Sequence, residues 1–486
     1  MPVAHGKETM MHRFRMRING TYQDGTDKRV IFNPFDGTAA GEVTFAGPGE
    51  INEAVAAACD SFKRYRSTPL HERAAVLRAI SKAIEDNGEE LAQLLRMEAG
   101  KPIKLARGEV FRAATTFACA AEEAVAMHGE LLPMDRVPGG DGRTGMVRRV
   151  PIGPILGITP FNFPLNLVAH KVAPAIAAGN TMVLKPASQT PMSALRLGEL
   201  CLLAGLPAGV VNIVPSDART LAGFIPDERL KALTFTGSAA VGWRLKSLAG
   251  KKRVTLELGG NAAVIVEPDV RENLDQVARR LALGAFMYAG QVCISVQRIF
   301  VHASIAARFL EALAAQAADP GCYGDPSDES VICGPLISEA DVMRILGLID
   351  QAVAAGGRLI CGGRRLGQVI APTVLASVPA DHPIVAEEAF GPVVVVQTYD
   401  RFDDALDMVN DSRYGLQAGI FTNDVNKILR AFDRLDVGGI IHNDYSTYRT
   451  DPMPYGGIKD SGFGREGVRY AMEEGTELKL LVLKSE

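Results

Sequence analysis

Residues 155–184 read ILGITPFNFPLNLVAHKVAPAIAAGNTMVL, and this stretch decides the fold. It holds an apolar run at residues 155–158, a helical segment at residues 165–178 and a second apolar run at residues 181–184. Gly179 can end the helix, because glycine readily adopts the left-handed conformation at a helix C-terminus. Continuous apolar runs joined by a helix are typical of parallel strands that are buried on both faces. The stretch therefore predicts a strand–helix–strand unit.

The same alternation continues along the chain. Further strands are predicted at residues 210–214 and 232–235, and Thr236-Gly237-Ser238 precedes a helix that runs through residue 248. Such a parallel sheet binds ligands, often nucleotides, at the carboxyl ends of its strands. No Gly-x-Gly-x-x-Gly fingerprint occurs in this region, so the predicted sheet lacks the motif of an ordinary Rossmann fold. A second α/β unit of about 200 residues is predicted downstream. Its first helices are predicted at residues 271–288 and from a Ser304 cap through residue 318.

Composition narrows the class of protein. The 486 residues are enough for two or three domains, and 47% hydrophobic with 22% charged residues is ordinary for a globular chain. A formal net charge of −4 gives no general surface for nucleic acid. No uninterrupted apolar run reaches about 18 residues, so no membrane span is expected. The seven cysteines form no Cys-x-x-Cys pair, which indicates neither a disulfide framework nor a metal site. A cytoplasmic location is the default expectation.

Two segments do not belong to the alternating pattern. Residues 133–149 are rich in Gly, Pro, Asp and Arg and predict a loop or hairpin that projects from the main body. Residues 478–483 are apolar and predict a strand, which needs an edge to pair with. A partner subunit is one candidate for that edge.

Cys293 lies between a glycine at position 290 and a strand-like run at residues 296–301. A loop of this kind can present a thiol to a cleft. Cysteine is nucleophilic only as the thiolate, which requires a polar and partly exposed environment. The alternative is a buried, inert cysteine, since free cysteine is among the most buried residue types.

Two polar residues follow the predicted strands of residues 155–184. Asn162 lies between two prolines after the first strand, where its amide can donate a hydrogen bond to an oxyanion. The alternative is a structural asparagine in a proline turn. Lys185 follows the second strand, where it can reach the ribose of a bound nucleotide. Its alternative is an ordinary surface lysine.

Two further sites come later in the predicted sheet. Gly237 and the amides at the start of the following helix can approach a phosphate closely, although Ser238 can also be a plain helix cap. Glu257 ends another strand among apolar residues, and desolvation there would raise its pKa to suit a general base. The alternative is a carboxylate paired with a cation at a domain junction.

Six motifs in order make the chain resemble the aldehyde dehydrogenase superfamily over nearly its whole length. The motifs are Pro-Phe-Asn-Phe-Pro (160–164), Phe-Thr-Gly-Ser (235–238), Glu-Leu-Gly-Gly-Asn (257–261), Gly-Gln-Val-Cys (290–293), Glu-Glu-Ala-Phe-Gly-Pro (387–392) and residues 455–466. The neighbourhood of Cys293 is similar to the branch of lactaldehyde, non-phosphorylating glyceraldehyde-3-phosphate and phosphonoacetaldehyde dehydrogenases.

The resemblance implies a role for each matching residue. Cys293 is the nucleophile, Glu257 activates water, and Asn162 holds the oxyanion together with the Cys293 backbone amide. The cofactor is NAD or NADP, with Lys185 at the adenosine ribose, Ser238 at the pyrophosphate, Glu388 at the nicotinamide ribose and Phe390 near the nicotinamide. Phe161, Thr236, Gly237 and Ser188 complete the predicted cofactor contacts. Lys171 and Glu466 are secondary polar residues near the glutamate, with a proton relay as their expected role.

The resemblance also implies a three-part α/β architecture. A Rossmann-like parallel-sheet cofactor domain comprises residues 1–128 and 149–258, and a second α/β domain, the catalytic domain, comprises residues 259–470. A small β oligomerisation element comprises residues 129–148 and 471–486. A homodimer or homotetramer is expected.

The resemblance implies that the substrate is a small aldehyde. Two residues of this chain differ from the sequence pattern of the branch at positions that bear on which aldehyde it is. Anion-binding relatives often carry an arginine where this chain has Val292, and phosphonate-type members tend to carry histidine where it has Phe163. Arg112 and Arg449 remain as candidate substrate contacts, or as solvated or structural arginines. We expect a short aldehyde that bears hydroxyl or carboxylate groups. Ser188 replaces the glutamate that repels a 2′-phosphate in many NAD-preferring relatives, so both cofactors are expected.

Three other functions remain open from the sequence. A CoA-acylating dehydrogenase would release the thioester to a thiol instead of water, but such relatives generally lack the glutamate found at position 257. A thiol-dependent hydrolase or acyltransferase would need a histidine base, and none of the eight histidines lies in an obvious partner motif. A non-catalytic protein of the same fold is the third alternative.

Overall fold

The computed structural model describes residues 12–485, and these form α-helices and β-strands in alternation over most of the chain. The helices are α1 (Pro48–Tyr65), α2 (Leu70–Asp86), α3 (Gly88–Ala99), α4 (Ile103–Ala126), α5 (Asn166–Ala178), α6 (Met192–Leu203), α7 (Ala218–Ala222), α8 (Ala239–Leu248), α9 (Leu274–Phe286), α10 (Ala306–Ala317), α11 (Glu339–Ala354), α12 (Pro383–Ala386), α13 (Phe402–Asn410), α14 (Val425–Arg434) and α15 (Val468–Glu474).

The strands begin near the N-terminus and end at the last described residues. They are β1 (Arg13–Phe14), β2 (Arg17–Ile18), β3 (Thr21–Tyr22), β4 (Asp27–Phe32), β5 (Ala39–Phe45), β6 (Glu130–Pro133), β7 (Arg143–Pro151), β8 (Pro154–Ile158), β9 (Thr181–Lys185), β10 (Val211–Ile213), β11 (Ala232–Thr236), β12 (Arg253–Glu257), β13 (Ala263–Val266), β14 (Arg298–His302), β15 (Arg358–Cys361), β16 (Arg365–Leu366), β17 (Val369–Ile370), β18 (Thr373–Ala376), β19 (Val393–Tyr399), β20 (Tyr414–Gly415), β21 (Gln417–Phe421), β22 (Gly439–His442), β23 (Ile458–Lys459), β24 (Gly462–Phe463) and β25 (Thr476–Lys484).

The first large sheet has the strand order β24-β12-β11-β8-β9-β10-β2-β3. Strands β12, β11, β8, β9 and β10 are parallel, as the alternating sequence pattern predicts. Helix α5 joins β8 to β9 and is buried along its whole length. It ends at Gly179, whose φ of 87° is the left-handed conformation expected at that position. The strand–helix–strand prediction for residues 155–184 is therefore confirmed.

The second large sheet has the order β15-β18-β19-β14-β13-β21-β22, and all neighbours except β15 and β18 are parallel. Its helices cover a core of Val, Ile, Leu and Phe side chains that is separate from the core of the first sheet. The predicted second α/β unit is confirmed.

The C-terminal segment links the two sheets. Strand β24 pairs with β12 of the first sheet, and Val468 and Met472 of α15 pack into the first core. Residues near 462–474 thus contact elements of the predicted cofactor domain. The division at residues 258, 259 and 470 stays a prediction, and residues 1–11 and 486 of it lie outside the described part of the chain.

A small antiparallel sheet has the order β25-β7-β6. Strands β6 and β7 form the hairpin predicted at residues 133–149, and β25 pairs with β7 over nine residues. The predicted C-terminal strand therefore finds its edge within its own chain. Apolar side chains on both faces of β25 are exposed, including Leu478, Leu480 and Leu481.

Helix ends account for the differences from the sequence prediction. The helix predicted at residues 271–288 begins as a 3-10 turn and ends at Phe286, because Tyr288 and Ala289 adopt positive φ angles. The helix predicted to start with a Ser304 cap begins at Ala306. His302 is the residue that caps the short turn before it, since its side chain accepts a hydrogen bond from the Ser304 amide. Among the described residues, no helix is long and apolar enough to cross a membrane.

Candidate active site

A cavity of about 670 Å³ lies at the carboxyl ends of β8, β11 and β12, where the second unit faces the first sheet. Most of the predicted site residues line it: Phe161, Asn162, Thr236, Gly237, Ser238, Glu257, Cys293, Glu388, Phe390, Arg112 and Arg449. Lys171, Lys185, Ser188 and Glu466 are outside its lining. Residues distant in sequence therefore meet at the edge where a parallel sheet binds its ligands.

A sharp backbone kink precedes Cys293. Tyr288 and Ala289 have φ angles of 51° and 53°, and Gly290 follows with 67°. A Cβ atom at Gly290 would lie 2.1 Å from the carbonyl oxygen of Gly391, so only glycine fits there. Left-handed conformations of consecutive non-glycine residues are strained and cluster at functional sites. The kink ends α9 and turns the following loop toward the cavity.

The Cys293 thiol is partly buried and contacts one polar side chain. Its Sγ atom lies 3.1 Å from the Tyr455 hydroxyl oxygen. Burial raises the pKa of the thiol to about 11, whereas the hydrogen bond from Tyr455 and the charge of Arg449 lower it. The resting thiol is therefore protonated at neutral pH, and a cysteine in this environment needs help to ionise.

Asn162 is buried with its amide turned toward the Cys293 loop. Its Nδ2 atom donates a 2.9 Å hydrogen bond to the carbonyl oxygen of Gln291. An amide nitrogen carries two hydrogens, so this contact orients Asn162 and leaves one donor for a ligand. The geometry is compatible with the predicted oxyanion role.

Glu257 is buried, and neither of its carboxylate oxygens has a hydrogen-bond partner among the described residues. Desolvation and the negative charge of Glu466 raise its pKa well above the usual value of 4.5. Gly456 lies directly against it, and a Cβ atom there would be 2.9 Å from Glu257 Oε1. An unpaired carboxyl group with a raised pKa has the properties of a general base.

Behind Glu257 lies a buried charged group that includes both predicted secondary residues. Lys171 Nζ donates hydrogen bonds of 2.8 Å to Glu466 Oε1 and 2.8 Å to Thr234 Oγ1. Arg449 Nη2 lies 3.4 Å from the other oxygen of Glu466. Burial opposes ionisation of Glu466, but the charges of Lys171 and Arg449 lower its pKa below the usual value, which is the opposite direction to the shift of Glu257.

Glu388 also lines the cavity, and this half-buried side chain packs against two glycines. Its Oε1 atom accepts a 3.0 Å hydrogen bond from the amide of Gly260. A Cβ atom at Gly259 would lie 2.3 Å from Glu388 Oε2, so the close approach requires glycine. Burial raises the pKa of Glu388 to about 7, against the stabilising effect of the Gly260 amide.

Aromatic rings also border the cavity. The ring centroids of Phe161 and Phe390 are 5.8 Å apart in an edge-to-face arrangement. Phe390 has a φ of 49°, so its backbone is held in a conformation that a phenylalanine rarely adopts. The pair forms an apolar wall of the kind that packs against a planar ring.

The turn before α8 has unsatisfied donors. Ser238 occupies the N-cap position, but its side chain makes no capping hydrogen bond. The Thr236 hydroxyl is buried without a partner. Free amides at a helix N-terminus attract anions, and an unpaired buried hydroxyl invites a ligand. This turn therefore fits the pyrophosphate of a dinucleotide.

Lys185 and Ser188 lie together at the ends of β9 and β10. Lys185 Nζ donates to the carbonyl oxygen of Pro186 at 2.7 Å, and burial lowers its pKa to about 8. Ser188 Oγ donates to the carbonyl oxygen of Ser216 at 3.3 Å. Both side chains lie on the edge of the sheet that carries the Thr236-Gly237-Ser238 turn.

Sequence reasoning missed a buried ion pair beneath the Asn162 loop. Lys101 contacts Glu109, donates a 2.7 Å hydrogen bond to the carbonyl oxygen of Asn162 and lies 3.7 Å from the ring centroid of Phe163. Glu109 in turn accepts hydrogen bonds of 3.0 Å from the backbone amides of Leu165 and Asn166. The pair fixes the loop between β8 and α5. A lysine after Gly100 in a helical region carried no signal of this role.

The two candidate arginines differ in their contacts. Arg112 makes no salt bridge with any residue between positions 12 and 485, and burial and the charge of Arg449 lower its pKa. Arg449 lies over the Tyr455 ring at 3.6 Å from its centroid and contacts Glu466. Two guanidinium groups thus share one end of the cavity, and Arg112 is the one without a protein partner.

Comparison with known proteins identifies the family. The sequence profile of the aldehyde dehydrogenase family matches residues 22–481. The chain belongs to the aldehyde dehydrogenase family. The predicted fold and family are confirmed, and this aldehyde dehydrogenase is an NAD(P)-dependent oxidoreductase. No cluster of three or more His, Cys, Asp or Glu side chains suited to a metal ion occurs among residues 12–485.

Three relatives are similar to this aldehyde dehydrogenase over nearly its whole length. The 3-sulfolactaldehyde dehydrogenase of Priestia aryabhattai is 41% identical, covering 98% of this chain and 99% of the relative. The crystal structure of aldehyde dehydrogenase 21 from Physcomitrella patens, in complex with the reaction product succinate, is 44% identical with a TM-score of 0.95 and 98% coverage of each chain. The structure of glyceraldehyde-3-phosphate dehydrogenase GapN from Methanocaldococcus jannaschii, complexed with NADP, is 37% identical with a TM-score of 0.90, covering 95% of this chain and 100% of the other.

Proposed function

We propose that this aldehyde dehydrogenase oxidises a short aldehyde carrying one anionic group, carboxylate or sulfonate, to its carboxylic acid. The observation that carries the proposal is the Arg112 guanidinium, which lines the cavity without a protein partner. Arg112 is half-buried, and the charges of Asp451 and Glu109 raise its pKa from a distance but form no salt bridge with it. A half-buried charge without a salt bridge is a favourable place for an anion. A substrate anion is the missing counter-ion.

The neighbouring charges favour the same conclusion. Arg449 lies close enough to Arg112 to lower its pKa, so the cavity end holds two like charges. Glu466, the nearest partner of Arg449, is shared with Lys171. Guanidinium groups bind carboxylate and sulfonate oxygens through paired hydrogen bonds. Val292 and Ile294 also line the cavity and pack with Cys293, so the surroundings of the thiol suit a short chain.

Two relatives support this substrate class. One is a dehydrogenase of 3-sulfolactaldehyde, and another was crystallised with succinate. Both names describe a short molecule with an anion at the end remote from the reacting carbon. We therefore propose 3-sulfolactaldehyde and succinate semialdehyde as the first substrates to test. Hydroxyl-bearing aldehydes such as lactaldehyde are the neutral alternative.

The proposed reaction begins at Cys293. Its thiolate forms a bond to the aldehyde carbon while the carbonyl π bond opens, which gives a tetrahedral thiohemiacetal. The free hydrogen of the Asn162 amide and the Cys293 backbone amide hold the oxyanion. Removal of one such donor typically raises the barrier by about 3 kcal/mol. Collapse of this species leaves an acyl group on sulfur as a thioester.

The residues fit a dinucleotide cofactor. The uncapped start of α8 and the unpaired Thr236 hydroxyl suit its pyrophosphate, and Glu388 suits a ribose. When bound, the nicotinamide accepts the hydride released from the substrate carbon. Phe161 and Phe390 exclude water from that side of the cavity. Ser188 leaves room for a 2′-phosphate near Lys185, so we propose that NAD and NADP are both used.

Glu257 completes the proposed cycle by activating water. Its carboxylate removes a proton as the water oxygen attacks the thioester carbon, and the carbon–sulfur bond then breaks to release the acid. A free carboxyl group with a raised pKa beside the cavity favours this route over release to CoA. A thiol-dependent hydrolase is disfavoured, because it would need a histidine base and the side chain that hydrogen-bonds to Cys293 is a tyrosine.

We further propose a homodimer or homotetramer. The apolar side chains of β25, including Leu480, Leu481 and Val482, are exposed to water, and contact with a partner subunit would bury them. Sedimentation of the purified protein tests this, and a monomer at micromolar concentration would contradict it. A cytoplasmic location and the three-part domain division remain our predictions from the sequence.

A panel of aldehydes tests the proposed substrate class. Reduction of NAD and NADP is followed with succinate semialdehyde, 3-sulfolactaldehyde, lactaldehyde, glyceraldehyde 3-phosphate and butanal. We expect kcat/KM for the singly charged anions to exceed that for butanal by about a hundredfold, in line with a charge-assisted contact of roughly 3 kcal/mol. Equal or better use of butanal would overturn the proposal. Assays with and without CoA separate hydrolysis from acyl transfer.

A further inference from the structure

We propose that Tyr455 is a catalytic residue, whose hydroxyl donates a hydrogen bond to the ionised sulfur of Cys293. Arg449 is then the positioning residue that holds the Tyr455 ring. The inference rests on the proposed function, because it assumes that Cys293 is the nucleophile. It adds a hydrogen-bond donor that stabilises the thiolate.

The contact with the thiol is direct. The Tyr455 hydroxyl oxygen lies 3.1 Å from Cys293 Sγ, and no other described residue hydrogen-bonds to that sulfur. With a protonated thiol, either atom can donate. Once the sulfur is ionised it can only accept, and the phenol hydrogen must then point at it. The Tyr455 hydroxyl can therefore donate to the Cys293 thiolate without movement of the ring.

Tyr455 is held on three sides. Its backbone amide and carbonyl exchange hydrogen bonds of 2.9 Å and 2.7 Å with the backbone of Glu466. Its ring packs with Val292, Ile294 and Leu416 in a small apolar cluster, and its exposed fraction is 3%. The Arg449 guanidinium lies on the ring face, 3.6 Å from the centroid. A cation on the face of a ring favours donation by the hydroxyl at its edge.

The surrounding charges decide which way the proton is shared. Burial and the nearby Cys293 and Glu257 raise the pKa of Tyr455 well above 10, so the phenol keeps its proton and acts as a donor, not as a base. The charged groups that face the Cys293 sulfur are Arg449, Glu257 and Glu388. The two carboxyl groups oppose ionisation of the thiol when they are charged, and only Arg449 and the phenol favour it.

The step itself is a simple ionisation. The sulfur–hydrogen bond of Cys293 breaks, and the proton leaves through the Glu257 carboxylate or water. The oxygen–hydrogen bond of Tyr455 stays intact. When sulfur then bonds to the aldehyde carbon, its negative charge moves to the carbonyl oxygen, and the phenol hydrogen bond weakens. The donor thus stabilises the nucleophile before attack.

The test is the ionisation of Cys293 in Tyr455→Phe, which removes a single oxygen from a packed site. Alkylation of Cys293 by iodoacetamide is followed by peptide mass spectrometry as a function of pH, with no aldehyde present. We expect the alkylation profile to move up by about one pH unit, which equals a tenfold fall in thiolate at a given pH. A profile that is unchanged or moves down would overturn the inference.

Tyr65→Phe is the matched control. Tyr65 is also 3% exposed, and its hydroxyl donates to a backbone oxygen, that of Ile176, away from the cavity. This variant should leave the alkylation profile in place. Should Tyr455→Phe not fold, a fluorinated tyrosine at position 455 replaces it. The more acidic phenol is a stronger donor, so the profile should then move to lower pH, and no movement would count against the inference.

Arg449 is tested through a double-mutant cycle, which separates its own charge from its action through the ring. Arg449→Leu should move the alkylation profile to higher pH, and the shift should be larger in the wild-type background than in Tyr455→Phe. Equal shifts in the two backgrounds would remove Arg449 from the inference. Cys293→Ala distinguishes the two proposals: turnover by that variant defeats the proposed function, whereas an inactive Cys293→Ala with an unmoved Tyr455→Phe profile defeats only this inference.

Discussion

Lys171 Nζ donates a 2.8 Å hydrogen bond to Glu466 Oε1, and both side chains are buried beside the uncompensated carboxyl group of Glu257. The negative charge of Glu466 is one cause of the raised pKa of Glu257. A base of raised pKa is active only above that pKa, and its activity is lost as the pH falls through it. In the proposed cycle, burial and the charge of Glu466 therefore raise the pH below which the hydrolytic step is lost.

Glu466→Gln should move that limit to lower pH. The substitution removes the negative charge and leaves Lys171 and Arg449 facing Glu257, so the pKa of Glu257 should fall. The measurement is the single-turnover rate of deacylation against pH. Glu267→Gln is the control, since Glu267 is a buried glutamate paired with Lys427 away from the cavity. An acid limb that stays in place in Glu466→Gln would contradict this role.

Arg112→Leu should damage the use of anionic substrates selectively. Loss of a charge-assisted contact costs about 3 kcal/mol, so kcat/KM for succinate semialdehyde should fall by about a hundredfold. The value for butanal should change by less than about threefold, because a neutral chain makes no use of the guanidinium. Arg107→Leu, which removes an exposed arginine of the same helix, is the control. Equal losses on both aldehydes would show that Arg112 is structural.

Ser188→Glu should lower the activity with NADP relative to that with NAD. A carboxylate near Lys185 would repel a 2′-phosphate, and we expect the NADP-to-NAD ratio of kcat/KM to fall by about a hundredfold, or roughly 3 kcal/mol. Ser188→Gln has nearly the same size without the charge and should keep the wild-type ratio. A wild-type preference for NAD of more than about a thousandfold would contradict the expectation that both cofactors are used.

Lys101→Met should destabilise the protein. The substitution keeps much of the side-chain volume but leaves Glu109 buried without its cation, and breaking one partner of a buried pair costs about 3 kcal/mol or more. The urea midpoint of unfolding should fall accordingly. Lys63→Met removes a lysine from an exposed pair with Asp60 and should leave the midpoint unchanged. Equal midpoints for the two variants would refute the importance of the buried pair.

The sequence predicted the fold from local patterns, and these patterns together with the family resemblance predicted several of the residues that line the cavity. Apolar runs identified the strands of each sheet, and motifs at the strand ends identified Asn162, Gly237 and Glu257. The contact between Cys293 and Tyr455 was not predictable in this way, because it joins residues 162 positions apart through the packing of two sheets.

Backbone strain and helix caps were also beyond local patterns. The left-handed conformations of Tyr288 and Ala289 are imposed by their surroundings, since neither residue type favours them. Their positions continue a helical pattern, and the predicted helix therefore ran too far. The predicted Ser304 cap was wrong because the Ser304 hydroxyl contacts His302 Nδ1, and the α-helix starts at Ala306.

The central claim is that the aldehyde is oxidised as an acyl group on Cys293 and then released by Glu257. Glu257→Gln should stop the second half and preserve the first. We predict one equivalent of reduced cofactor per site on mixing with substrate, and a rapid quench should show the acyl mass on the peptide that contains Cys293. A burst without this adduct, or an adduct on another of the seven cysteines, would contradict the account.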